Sequence, residues 1–312
     1  MSFSSEVKAE LEKQIGKSRH CQLAELSAIV GHLGRLTMKR DNYSITIVTE
    51  HAGLAKKCFT LFRRAFDLSP ELESGNACSL KIRGKDEVRR VLMALKFLNE
   101  DEQQCPPKLS DRVNGLLVQN SCCRRAFLRG VFLSSGSISD PNKSYHFEIV
   151  CDTAGQAQQI QEMMIDFDTD AKIVERKNHY VVYLKEGAQI VDMLNVMEAH
   201  VALMNLENVR ILKEMRNHVN RTVNCETANI NKAVNAAVKQ IADIRLIRER
   251  GGLESLPESL RQVAEVRLEH PDATLKELGE YLSPPVGKSG VNHRLRKIGE
   301  IADHMRDRGG HQ

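Results

Sequence analysis

The sequence predicts an α+β fold in which one unit is built twice and is then followed by an all-α domain. Three observations carry that reading. The first two-thirds of the chain runs twice through helix, strand, helix, strand and helix. Both copies open on a glycine-spaced apolar helix, LSAIVGHLG (26–34) and LRGVFLSSG (128–136). The last third carries only helical periods and ends on a helix with a basic outward face.

In chain order, residues 5–14 read as a short helix with Ser4 or Ser5 as its N-cap. Cys21–Thr37 follows as a helix, with Leu26, Ile29 and Leu33 on one face and Ala28, Gly31 and Gly34 as small residues on it. Asn42–Glu50 alternates through Tyr43, Ile45 and Ile47, which predicts a strand. His51–Asp67 is a helix through Leu54, Cys58, Leu61, Phe62 and Ala65. Ala77–Arg83 is a short strand, and Asp86–Leu98 is an apolar helix. Two prolines mark 99–107 as a connector.

The second copy begins with a helix over Ser121–Ser139, whose Gly130, Ser134, Ser135 and Gly136 would admit another backbone at close range. A strand over Tyr145–Cys151 and a helix over Thr153–Phe167 come next. Ala171–Arg176 and Tyr180–Lys185 form a hairpin around Lys177–His179, and Gly187–Met197 closes the unit as a helix.

Ala199–Val219 reads as a bridging helix, and Asn220–Asn224 breaks its pattern. Ala228–Ile247 then predicts a long core-facing helix through Ile230, Val234, Ala237, Ile241 and Ile244. Gly251–Gly252 stops it, and Pro257 starts a helix over Glu258–Glu269. Thr274 and Glu277 form a capping box for a short helix with Leu275, Leu278 and Leu282 on one face. After a turn over Ser283–Lys288, Ser289 can cap a last helix that buries Val291, Leu295, Ile298, Ala302 and Met305. Two such helices joined by a glycine-containing turn fit a helix-turn-helix.

The outward face of the last helix carries Asn292, His293, Arg294, Arg296 and Lys297. Asparagine suits adenine, arginine suits guanine and lysine suits the phosphate backbone. Thr274, Lys288 and Ser289 complete the candidate DNA-binding set, with Arg245, Arg248 and Arg250 as candidate phosphate contacts. Double-stranded DNA is therefore the expected partner.

Composition excludes several classes. With 45 basic and 41 acidic side chains the net charge is +4, so clustering rather than overall charge must argue for nucleic acid. No apolar run approaches the roughly 20 residues of a membrane span. Met1–Gln14 is charged and amphipathic, so a cytoplasmic chain is expected. The eight cysteines (21, 58, 78, 105, 122, 123, 151 and 225) lack CxxC spacing and are expected to be reduced. His20–Cys21 and Cys122–Cys123 are adjacent pairs; neighbouring residues are hard to seat on one tetrahedral ion, so no metal site or cofactor is expected.

LRGVFLSSG, and more faintly LSAIVGHLG, resembles the LAGLIDADG motif of homing endonucleases. That resemblance implies two motif helices packed at a pseudo-twofold axis, with an acidic residue near the end of each holding the divalent cations that cut DNA. The matched positions here are Leu33 and Ser135, neither of which can hold magnesium. Asp140 lies one turn beyond and Glu25 precedes the first motif, but neither occupies a matched position.

Over nearly its whole length the chain resembles the WhiA family of bacterial transcriptional regulators. The similarity rests on RRAFLRGVFLSSGSISDPNKSYHFEIV (124–150), NRTVNCETANINK (220–232) and TLKELGEYLSPPVGKSGVNHRLRKIGEIA (274–302). It implies a degenerate, pseudo-duplicated LAGLIDADG-like αββαββα domain over 1–200, with repeats at about 21–98 and 121–198. A helical linker over 201–222 and an all-α helix-turn-helix domain over 223–312 follow. The implied role is a non-enzymatic, sequence-specific and nucleoid-associated regulator of cell division, chromosome segregation or sporulation. Other transcription or division proteins are further expected partners. The alternatives are a metal-dependent endonuclease with displaced carboxylates and an adaptor of the division machinery.

Overall fold

A computed structural model describes residues 2–39, 42–75, 77–98 and 109–309. The chain divides into two compact units, Met1–Lys213 and Glu214–Gln312. The expected connector at 99–107 lies outside the described residues.

The first unit opens with α1 (Phe3–Leu11), which starts two residues earlier than its sequence suggests because Ser2 is the cap. Its hydroxyl accepts from Ser5 N at 3.2 Å. The first repeat is α2 (Arg19–Leu33), β1 (Gly34–Lys39), β2 (Asn42–Thr49), α3 (Ala52–Phe66), β3 (Glu71–Ser74), β4 (Cys78–Arg83) and α4 (Lys85–Ala94). The second is α5 (Ser121–Ser135), β5 (Gly136–Ile138), β6 (Phe147–Cys151), α6 (Ala154–Ile165), β7 (Lys172–Arg176), β8 (His179–Leu184) and α7 (Gly187–Met197). Each repeat is αββαββα, with a four-stranded antiparallel sheet in the order β1-β2-β4-β3 or β5-β6-β8-β7.

Two expected helices stop short. Cys21–Thr37 ends at Leu33, and Ser121–Ser139 ends at Ser135. Gly34 and Gly136 take extended φ/ψ of −74°/129° and −84°/154°, so each helix passes into a strand with no loop between them. The duplication persists in the register. Gly34 faces Ile47 and Ile47 faces Leu80; Gly136 faces Ile149 and Ile149 faces Val182, a constant displacement of 102 residues.

The core of this unit is the seam between α2 and α5. Leu26, Ala28, Ile29, Leu128, Val131 and Phe132 are buried there. A Cβ on Gly130 would lie 2.7 Å from the Glu25 carbonyl oxygen and 3.0 Å from the Ala28 Cβ, so the seam needs glycine at that position. Phe132 stacks on Phe147 at 5.2 Å and ties the helix pair to the second sheet. The seam also holds charge. Glu25, Lys57 and Arg129 are buried, with Glu25 Oε1 2.6 Å from Lys57 Nζ and 3.0 Å from Arg129 Nε.

α8 (His200–Gly251) runs 52 residues without interruption, so the break expected at Asn220–Asn224 is absent. Weak local helix formers do not end a helix when no proline or alternative backbone bond intervenes. The expected core-facing stretch also differs. Ile230 and Val234 are 63% and 53% exposed, and fully buried apolar side chains resume at Ile244 and Ile247. Periodicity marks an apolar stripe; it does not supply the partner that buries it.

The second unit adds α9 (Glu258–Glu269), α10 (Leu275–Glu280) and α11 (Lys288–Gly309) to the end of α8. Gly252, at φ +70°, ends α8 in the left-handed region that glycine tolerates. Ile244, Ile247, Leu260, Val263, Leu278, Val291, Leu295 and Ile298 form one core. Among the described residues, no helix is long and apolar enough to cross a membrane.

Candidate nucleic-acid interface

The surface in question is built on α10, the following turn and α11. Thr274 caps α10 as its sequence indicates: the hydroxyl accepts from Glu277 N at 3.4 Å, and the Glu277 carboxylate accepts from Thr274 N at 2.7 Å. Those bonds to the Thr274 backbone hold the exposed Glu277 carboxyl below its ordinary value. In the turn, Val286 N donates to the Gly279 carbonyl at 2.9 Å. A Cβ on Gly279 would lie 1.9 Å from the Val286 carbonyl oxygen, so this backbone approach requires glycine.

α11 starts at Lys288, one residue before the expected cap. Gly287 is the residue before it, its carbonyl accepting from Val291 N at 3.1 Å, and Ser289 sits inside the first turn. The helix is divided by its period. Val291, Leu295, Ile298 and Ala302 are buried against α9 and α10, whereas Ser289, Asn292, His293, Arg296 and Lys297 are exposed at steps of three, one, three and one. Those five share one outward face. No acidic residue interrupts 288–299, so the first half of the helix is positively charged throughout.

The remaining candidates separate into two groups. Arg294 is half-buried, and its Nη1 donates to the Ser259 carbonyl at 3.4 Å, off the outward face. Arg250 Nη1 donates to the Met305 carbonyl at 2.6 Å near the end of α11. Arg296 makes only an exposed i,i+4 pair with Glu300 at 3.3 Å, which costs little to break. Arg245 and Arg248 are exposed along α8.

Sequence reasoning missed what fixes this scaffold. Arg267 is buried and donates to the carbonyls of Pro271 and Ala273 at 3.3 and 2.7 Å, pinning the chain between α9 and α10. Burial lowers its guanidinium below the ordinary value. Buried Asp243 on α8 pairs with Arg306 on α11, and the His270 and Tyr281 rings stack at 4.3 Å. Nothing in the spacing of those residues announces the pairings.

In the first unit, the positions matched to the motif aspartates carry no carboxylate. Leu33 packs against the core, and Ser135 Oγ donates to the Val131 carbonyl at 3.4 Å, within its own helix. Asp140 accepts from Asn142 N at 2.9 Å and from Asn142 Nδ2 at 3.1 Å, closing a turn; those two bonds lower its carboxyl. Glu25 is held by two buried cations and does not face solvent.

Three domain descriptions match the chain in order: the WhiA N-terminal LAGLIDADG-like domain over 19–85, the WhiA LAGLIDADG-like domain over 124–216 and the WhiA C-terminal HTH domain over 219–302. Over 318 residues the sequence is 48% identical to a probable cell division protein WhiA of Lachnoclostridium phytofermentans, covering 98% of this chain and all of that one. The chain belongs to the WhiA family. The WhiA protein of Lachnospira eligens is 49% identical over 314 residues, covering 98% of each chain. The crystal structure of full-length DUF199/WhiA from Thermatoga maritima matches with a TM-score of 0.59 at 26% identity, over 97% of this chain and 99% of that one. The WhiA assignment agrees with both the duplicated LAGLIDADG-like unit and the helix-turn-helix.

Proposed function

We propose that this chain is a sequence-specific, double-stranded-DNA-binding transcriptional regulator acting in cell division, chromosome segregation or sporulation control. In this reading it works on the nucleoid and has no nuclease activity. The observation that carries it is the unbroken basic, exposed face of α11, presented by a capped helix and a glycine-closed turn. Asn292, His293 and Arg296 read base edges, while Lys288, Ser289 and Lys297 grip phosphates at the flanks. Thr274 positions α10 through its cap. Arg245 and Arg248 add backbone contacts, while Arg250 and Arg294 serve the scaffold first, because each already donates to a carbonyl.

The relatives' printed name, probable cell division protein, supports division as the process served. The lack of a carboxylate at Leu33 and Ser135 supports loss of cleavage, since magnesium takes oxygen ligands. The test is promoter DNA from division genes in a gel-shift assay, with full-length protein and the Asn292→Ala, Arg296→Ala double variant. Specific retention by the parent and its loss in a folded double variant are expected. Equal retention of unrelated DNA by both proteins overturns the assignment.

A further inference from the structure

The two adjacent pairs dismissed on sequence spacing meet in the fold. His20 and Cys21 lie in the first turn of α2, and Cys122 and Cys123 lie in the first turn of α5. The 102-residue displacement that relates the two repeats maps His20 onto Cys122 and Cys21 onto Cys123. Each repeat thus contributes two side chains at equivalent positions, and the helix pair brings them to one point. His20 Nδ1 is 3.2 Å from Cys123 Sγ, 3.3 Å from Cys21 Sγ and 4.0 Å from Cys122 Sγ. All four ligand atoms lie within 4.8 Å of one another.

We propose that His20, Cys21, Cys122 and Cys123 form a structural zinc site that staples the N-termini of the two central helices. A tetrahedral zinc ion with bonds of about 2.3 Å to sulfur and about 2.0 Å to nitrogen separates its ligand atoms by roughly 3.5–3.8 Å. The spacings here bracket that edge. Three sulfurs and an imidazole are a soft donor set that favours zinc over magnesium or calcium. With four protein ligands no position stays open for water or substrate, so the ion is a clamp and not a catalyst.

The objection that neighbouring residues cannot share an ion is met by the observed 3.3 Å between His20 Nδ1 and Cys21 Sγ. Both side chains project from a helix start toward the second helix. Three thiolates and a neutral imidazole around Zn2+ carry a net charge of −1. Two helix N-termini with no acidic residue in the first turn favour an anion there. On binding, three Cys S–H bonds release their protons to solvent and three Zn–S bonds form, with no change of oxidation state. His20 and Cys122 are exposed and Cys123 is buried, which gives the ion an entry path and a fixed inner wall.

The site lies at the opposite end of α2 and α5 from Leu33 and Ser135, so it is separate from the positions matched to the motif aspartates. The experiment uses full-length protein purified under reducing conditions without added chelator. Elemental analysis is expected to find one zinc per chain. Replacement by cobalt is expected to give the intense visible bands and thiolate charge transfer of a tetrahedral sulfur-rich centre. Cys122→Ser and Cys123→Ser are expected to lose the ion and the bands, whereas Cys225→Ser, at an exposed cysteine far along α8, keeps both. If the serine variants do not fold, cobalt titration of the parent decides. A one-to-one tetrahedral spectrum supports the site; its absence, or a Cys21–Cys122 or Cys21–Cys123 disulfide in place of the ion, overturns it.

Discussion

Glu25 and Lys57 meet at 2.6 Å with no exposed side-chain surface on either, at the centre of the helix seam. Lys57 Nζ also donates to the carbonyls of Leu11 and Gln14 at 2.6 Å each, and Arg129 donates to both Glu25 carboxylate oxygens, at 3.0 and 3.2 Å. Burial lowers the Lys57 ammonium, and Glu25 partly restores it. Burial also works against Arg129, but Glu25 and Glu198 more than offset it and hold that group above its ordinary value. Glu25 is thus shared by both buried cations, and Glu198 adds a second carboxylate at Arg129. Glu25→Ala is expected to destabilise the first unit by about 3–5 kcal/mol, read by urea unfolding of the full chain. A loss below about 1 kcal/mol would show that the network is solvated.

Gly130, next to Arg129 on α5 and against the Glu25 backbone, sets how close α2 and α5 can come. A methyl group there meets the Glu25 carbonyl oxygen, which is backbone and cannot swing aside. Gly130→Ala should cost about 1–3 kcal/mol, despite alanine's better helix propensity. Thermal unfolding checks the sign. A more stable Gly130→Ala protein would mean that the helices are free to separate.

Those two sites show where sequence was informative and where it was not. The small residues of FLRGVFLSSG announce a close seam, and alternation through Ile45 and Ile47 announces β2. The Glu25–Lys57–Arg129 network leaves no such mark, because nothing local distinguishes a buried ion pair from a solvated one. The strand β3 was missed because ELES is exposed throughout and so has no apolar alternation to read. β1 and β5 were missed for another reason: they follow their helices directly through an extended glycine, with no turn to mark the boundary. In the second unit the capping box and the basic face were legible. The Arg267 and Asp243 contacts that hold the helices in place depend on residues brought together only by the fold.

The absence of a carboxylate at Leu33 and Ser135 makes a direct prediction about cleavage. Purified protein with magnesium or manganese is expected to leave supercoiled plasmid intact. Asp140→Ala should change neither that result nor promoter binding, because Asp140 is occupied in a turn with Asn142. Metal-dependent nicking that disappears in Asp140→Ala would restore an enzymatic reading.

The capping box of α10 gives a pH dependence. Glu277 is held below its ordinary value of 4.5 by its bonds to Thr274, so the folded state binds that proton less readily than the unfolded chain. Its contribution to stability is therefore complete above about pH 5 and is lost as pH falls through the lowered folded value. Glu277→Gln should flatten this part of the acid-unfolding profile of the second unit, and Thr274→Ala should remove about 1 kcal/mol at neutral pH. An unchanged acid limb in Glu277→Gln would mean that the carboxylate is not engaged in solution.

The face of α11 separates contacts that specify sequence from contacts that only attract phosphate. Asn292 and Arg296 are exposed, and the Glu300 pair leaves Arg296 free to rotate toward a base edge. Asn292→Ala and Arg296→Ala should each weaken specific binding by about 1–3 kcal/mol while leaving affinity for unrelated DNA nearly unchanged. Lys297→Ala should behave differently. It should weaken binding to every sequence and reduce the slope of log K against log salt by about 1, because one phosphate contact and its released counterion are lost. Arg294→Ala should lower stability through the lost Ser259 contact before it alters sequence preference. Titrations at several salt concentrations, with specific and unrelated duplexes in parallel, distinguish the four. If Arg296→Ala and Lys297→Ala shift both duplexes equally, α11 binds DNA by charge alone and base readout belongs to another surface.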